Sequence, residues 1–105
     1  MRLLKFNVNP QHIQKDPECD FTGIVAGTSG YLRAQFVLSS EWQGCTVVAS
    51  FWRGSKEYAV ILENDECMIP MEALRGQTFR VSVTGQRNDY RITSNKVLVR
   101  QEVSK

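Results

Sequence analysis

The chain is predicted to be an all-β protein: an antiparallel, Ig-like β-sandwich with one short helical turn, built by residues 1–105 as a single domain. Three observations lead there. Short runs rich in Val, Ile, Phe, Tyr and Thr alternate apolar and polar positions with the period of a half-buried strand. Gly, Pro, Asn and Asp punctuate these runs at close intervals. No segment holds apolar residues at helical spacing over three turns.

Taken in order, "RLLKFNV" sets Leu4, Phe6 and Val8 at period two, and "NP" turns the chain. "QHIQK" is a short extended piece with Ile13 as its apolar anchor, and "DPECD" is loop. "TGIVAGTSG" has the glycines of a phosphate loop but lacks Gly-Lys-Ser/Thr opening a helix, so it is a turn feeding the next strand. That strand, "YLRAQFVLS", points Leu32, Ala34, Phe36 and Leu38 one way and Tyr31, Arg33 and Gln35 the other. "TVVASFW" and "EYAVILE" form a hairpin across "RGSK", with Val47, Ala49, Phe51, Tyr58, Val60 and Leu62 inward. "NDE" turns again before a brief strand, "CMI", which Pro70 ends because it cannot donate to a ladder. "MEALRG" makes a helical turn stopped by Gly76. "TFRVSVTG" puts Phe79, Val81 and Val83 inside, and "YRITSNKVLVRQEV" is one long strand or two, kinked at "SN".

A domain of 105 residues buries roughly two-thirds of its unfolded surface, enough for a core without staples. Net charge is +2 and the basic residues are scattered, which gives no signature of a nucleic-acid arm or a membrane-binding surface. Three cysteines, an odd count without a CxxC pair, argue against a closed disulfide framework and leave one intersubunit disulfide as the alternative to three reduced thiols. With His12 the only histidine, zinc-ligand spacing is missing, and no cofactor is implied. "MRLLKFNVNP" lacks the apolar stretch of a signal peptide, so synthesis in the cytoplasm is expected.

Candidate chemistry is sparse. A nucleophile needs a base in reach and a group to orient that base. His12 lies in an exposed, edge-like segment and Cys19 in the loop after it, with no water-excluding pocket evident for a dyad. Glu63, Asp65 and Glu66 crowd one turn without the ordered spacing of a calcium loop. Tyr31 with Arg33, and Trp52 with Arg53, are the local aromatic–basic pairs that could stack on a single strand, and both fit plain strand surface. The central hairpin is different, because it is apolar on both faces. If one face makes the core, Val48, Trp52, Ala59 and Ile61 lie outside it, covered either by another part of the chain or by a partner. These four are the candidate protein-interface residues, and aromatic residues such as Trp52 are enriched at interface centres.

Four short pieces recur in a recognisable order. They are Trp42-x-Gly44, then Cys67-x-Ile69-Pro70 with Glu72, then Val81-Ser82-Val83-x-Gly85, then Ile92-Thr93-Ser94-Asn95. The pieces run from Trp42 to Asn95, and the match as a whole, which begins with "GTSGYLRAQFVLSS", covers roughly Gly27 to Val99. The set resembles a small β-sandwich domain of tailed-bacteriophage virion proteins, notably the N-terminal domain of baseplate upper and tail-fibre-type proteins of phages of Gram-positive bacteria. The resemblance implies a non-enzymatic structural virion protein, a tail, baseplate or capsid accessory subunit. Its partners would be other virion proteins and copies of itself as a homo-oligomer in the particle, with no nucleic acid and no membrane. Its place would be the virion, after synthesis in the host cytoplasm. Alternatives are a capsid decoration or head-fibre base protein, or a non-virion binding module such as a host-factor inhibitor. In that family the domain often heads a longer fibre protein. This sequence stops at Lys105, so a stand-alone adaptor without a receptor-reading tip is the expectation.

Overall fold

The computed structural model describes residues 1–103, which form nine strands and two short 3-10 turns. The strands are β1 (Arg2–Val8), β2 (Ile13–Lys15), β3 (Leu32–Leu38), β4 (Thr46–Arg53), β5 (Lys56–Ile61), β6 (Glu66–Met68), β7 (Thr78–Arg87), β8 (Tyr90–Thr93) and β9 (Val97–Arg100). The 3-10 turns are Ser40–Trp42 and Met71–Arg75. One sheet runs β2-β1-β3-β6; the other runs β5-β4-β7, with β8 and β9 sharing the far side of β7. The molecule is thus an all-β sandwich of two sheets with short 3-10 turns, as the alternation predicts.

The core is what the period-two pattern requires. Leu4, Phe6, Val8, Leu32, Ala34 and Phe36 from one sheet meet Val47, Ala49, Phe51, Val81, Val83 and Val99 from the other, all buried. Phe6 stacks on Phe36 at 5.4 Å and meets Phe21 edge-on at 5.4 Å. Such aromatic pairs each contribute about 0.5–1.5 kcal/mol beyond their burial.

One pairing departs from the all-antiparallel expectation. β1 and β3 are parallel, in register from Arg2↔Leu32 to Val8↔Leu38. Parallel neighbours need a crossover. Here β2, on the opposite side of β1, and the long loop after it carry the chain back to β1's starting end. Two smaller expectations are also adjusted. Gly76 ends the Met71–Arg75 turn in extended geometry (φ −108°) rather than as a left-handed cap. Tyr58, Val60 and Leu62 point inward but are only half-buried, because β5 lies at the edge of its sheet.

The kink at "SN" is a β-bulge. Four steps along β7, from Gly85 to Val81, face five along its partner, from Ile92 to Val97. The extra residue reverses side-chain parity, so Ile92 and Val99 both reach the core although one number is even and the other odd. Ser94 bridges the gap: its N–H donates to Val83 O at 2.9 Å, and its hydroxyl accepts from Val83 N–H at 3.0 Å.

The neighbouring Asn95 clasps the other sheet. Its Oδ1 accepts from Ile13 N–H at 2.8 Å, and its own N–H donates to Gln11 O at 3.0 Å. Replacing Asn95 by Ala leaves the Ile13 N–H without its acceptor and lowers stability by about 1–2 kcal/mol, readable as a lower urea midpoint at unchanged slope.

Candidate functional site

The candidate site is the outer face of the β5-β4-β7-β8/β9 sheet. Strand alternation and register place Thr46, Val48, Ser50 and Trp52 of β4 on this face. Glu57, Ala59 and Ile61 of β5 lie to one side; Arg80, Ser82 and Thr84 of β7 lie to the other. Arg91 and Thr93 of β8 and Leu98 and Arg100 of β9 complete it. A concavity of about 620 Å³ crosses the face, walled by Thr46, Val48, Ser50, Thr84, Arg87 and Arg91.

All four candidate interface residues fall on this face, and register pairs them with its centre. Val48 sits opposite Ile61, Ser50 opposite Ala59, and Trp52 opposite Glu57. Their exposure differs. Ile61 is 63% exposed, Ala59 is exposed, and Val48 and Trp52 are half-buried.

Trp52 is engaged by its own chain. Its Nε1–H donates to Ser82 Oγ at 3.0 Å, and the Lys96 ammonium lies 3.7 Å from its ring centroid. A cation that close over an indole contributes about 0.5–2 kcal/mol. The bulge makes this contact possible by delivering Lys96 to the outer face. The second 3-10 turn inserts Ala73 and Leu74 into the core, and both are fully buried there. Ile61 and Ala59 keep their exposure.

β5 adds a second feature. Leu62 N–H donates to Val47 O at 2.9 Å, and bonded pairs alternate along an antiparallel ladder. Ala49–Val60 and Phe51–Tyr58 are therefore bonded pairs, and Glu57, Ala59 and Ile61 turn their N–H and C=O groups to the open edge. Other edges are blunted in the ways natural sheets use. β2 and β6 have three residues each, the Ile13 amide of β2 is taken by Asn95, and the β8–β9 edge carries the bulge. β5 has six residues, with its charges, Lys56 and Glu57, at one end.

No protein-family model, curated protein or solved structure matches the chain.

The residues weighed for chemistry are dispersed. His12 is exposed, with Nδ1 3.4 Å from Asn95 Nδ2. Cys19 has different neighbours: its Sγ accepts from Lys5 N–H at 3.4 Å and donates to Leu3 O at 3.6 Å. Glu63 and Asp65 are exposed at a turn, where Asn64 (φ 53°) and Asp65 (φ 62°) take the left-handed geometry of a tight hairpin. Glu66 turns back onto the sheet, 3.4 Å from Arg33 Nε and 3.2 Å from Gln35 Nε2.

Tyr31 is exposed, while Arg33 is spent on Glu66. Among the described residues, no group of three His, Cys, Asp or Glu side chains is placed to hold a metal ion. None of the helical segments there is long and apolar enough to cross a membrane. All three cysteines are free; burial pushes the Cys67 thiol up to about 12, only partly offset by Arg33, so it stays protonated and unreactive.

Sequence reasoning found Val48, Trp52, Ala59 and Ile61 on the face and missed Leu98, Lys96 and the tie between Ser50 and Glu57. Lys96 was hidden by the bulge, and the hydrogen bond from Ser50 Oγ to Glu57 Oε2 requires knowing the hairpin register. A usable signal existed for Lys96: inward apolar residues switch from even to odd numbers between Ile92 and Val97.

Proposed function

We propose that the protein is a non-enzymatic assembly subunit that works by docking the outer face of its five-stranded sheet, with the open edge of β5, against a neighbouring protein. One observation carries this reading: the longest undefended edge of the sandwich carries the most exposed branched aliphatic side chain of its strands, Ile61. Main-chain pairing supplies affinity at such an edge, and adjacent side chains supply selectivity. The resemblance of the four ordered motifs to phage baseplate and tail-fibre N-terminal domains supports a virion setting, as a tail, baseplate or capsid accessory subunit. The test is quantitative mass spectrometry of particles purified from the phage or prophage that encodes the chain. A fixed copy number per particle supports the proposal, and absence from intact particles contradicts the virion setting.

A further inference from the structure

The outer face is basic although the chain as a whole is nearly neutral. Arg80, Arg91 and Arg100 project from β7, β8 and β9, and Lys96 from the bulge. Glu57 is the one carboxylate that these five strands place on the face, and it already accepts from the Ser50 hydroxyl. The ion pair among the described residues, Arg33–Glu66, lies on the other sheet, so the face keeps its charge.

The charge is also graded. The concavity has Arg91 at its β8 side, beside Arg87, whose Nη1–H donates to Gln43 O at 2.7 Å and whose guanidinium lies over the Tyr90 ring; Val48 is on its floor, Glu57 lines its β5 side, and Ile61 sits beside Val48 at the β5 edge. Crossing from β8 to β5 covers three strand spacings, roughly 14 Å, which an extended segment of about five residues spans.

We infer that this groove takes an extended segment of a partner polypeptide that is acidic at one end, against Arg87 and Arg91, and aliphatic at the other, against Val48 and Ile61. The inference rests on the docking reading above and names the chemistry of the partner. Nucleic acid fits less well. A phosphate chain has no use for Ile61 and Ala59 and would meet Glu57, and the Trp52 ring that would stack a base is already capped by Lys96.

The test uses a fluorescein-labelled, end-capped peptide of about six residues with glutamates at one end and valines at the other, titrated onto the whole chain by anisotropy. Its lysine-for-glutamate counterpart and an oligothymidylate are the comparisons. The acidic peptide is expected to bind at least about tenfold more tightly than the lysine peptide. Its affinity should fall severalfold when ionic strength rises from about 0.05 to about 0.3 M. Arg91→Glu, checked for folding by circular dichroism, should cost about tenfold or more, as should Val48→Asp.

Equal binding of the two peptides, or binding of neither, overturns the inference, and these readings use only the unmodified chain. Tighter binding of oligothymidylate overturns it by making the face a nucleic-acid surface. Salt-sensitive self-association abolished by Arg91→Glu overturns it by making a second copy the occupant. If the acidic preference fails while assembly still depends on Ile61, the charge inference falls and the docking reading stands. The reverse pattern has the opposite meaning.

Discussion

Trp42→Ala is expected to lower stability by about 3–5 kcal/mol, the range for removing a buried tryptophan. At roughly 4–8 °C per kcal/mol for a domain of this size, Tm should fall by at least about 12 °C. Trp42 is 2% exposed on the short turn between β3 and β4, and its Nε1–H donates to Pro10 O at 2.7 Å. It closes one end of the sandwich by lying against Gly85 of β7. A Cβ built on Gly85 would stand 2.9 Å from Cε3 of Trp42 and 3.1 Å from Cζ3. Glycine is required there for close approach, since its φ is not left-handed.

Gly85→Ala alone should therefore cost about 1–3 kcal/mol through overpacking. In the Trp42→Ala background the added methyl enters vacated space, so the second substitution should cost less than it does alone. Additive losses would mean that Cys45 Cβ, 3.1 Å from the same point, sets the cost instead of the indole. An unchanged Tm for Trp42→Ala would mean that the indole does not seal the sandwich.

Ile61→Glu should act in the opposite sense, leaving the fold intact and disabling assembly. Ile61 is 63% exposed on an edge strand, so its loss should change folding stability by no more than about 0.5–1 kcal/mol. At the centre of an interface, a buried glutamate in its place should weaken association by about 2–4 kcal/mol, or roughly thirtyfold to a thousandfold. Sedimentation or light scattering of the variant with its partner reads this directly. Trp52→Ala is less informative, because its bond to Ser82 and the Lys96 ammonium over its ring tie it to the fold as well. Association unaffected by Ile61→Glu would remove this face from the interface.

Much of the architecture was legible because a strand's alternation is a local property. β3, β4 and β7 each turn one face into the core and leave the other only partly covered, and Leu32, Ala34, Phe36, Phe79, Val81 and Val83 can be placed without knowing their neighbours. Pairing direction is not local. The parallel β1–β3 pair depends on where a long loop returns, and alternation carries no sign of direction.

The site was half legible for the same reason. Apolar residues on both faces of a hairpin mark Val48, Trp52, Ala59 and Ile61 as unusual. What meets them is decided by residues far along the chain: Ser82 and Lys96 at Trp52, and open solvent at Ile61. The motif pieces singled out in the sequence also have structural meaning of their own. Trp42 and Gly85 are two halves of one contact, and Ser94 and Asn95 build the bulge and the clasp to β2.

The most direct test is residue-resolved hydrogen exchange on the free chain and on the same chain in its assembly. The edge-facing amides of Glu57, Ala59 and Ile61 should exchange fast when free and gain protection of at least about tenfold on assembly, while the already bonded amides of Tyr58 and Val60 change less. If these three amides exchange equally fast in both states while another surface becomes protected, docking through the β5 edge and its sheet face is wrong.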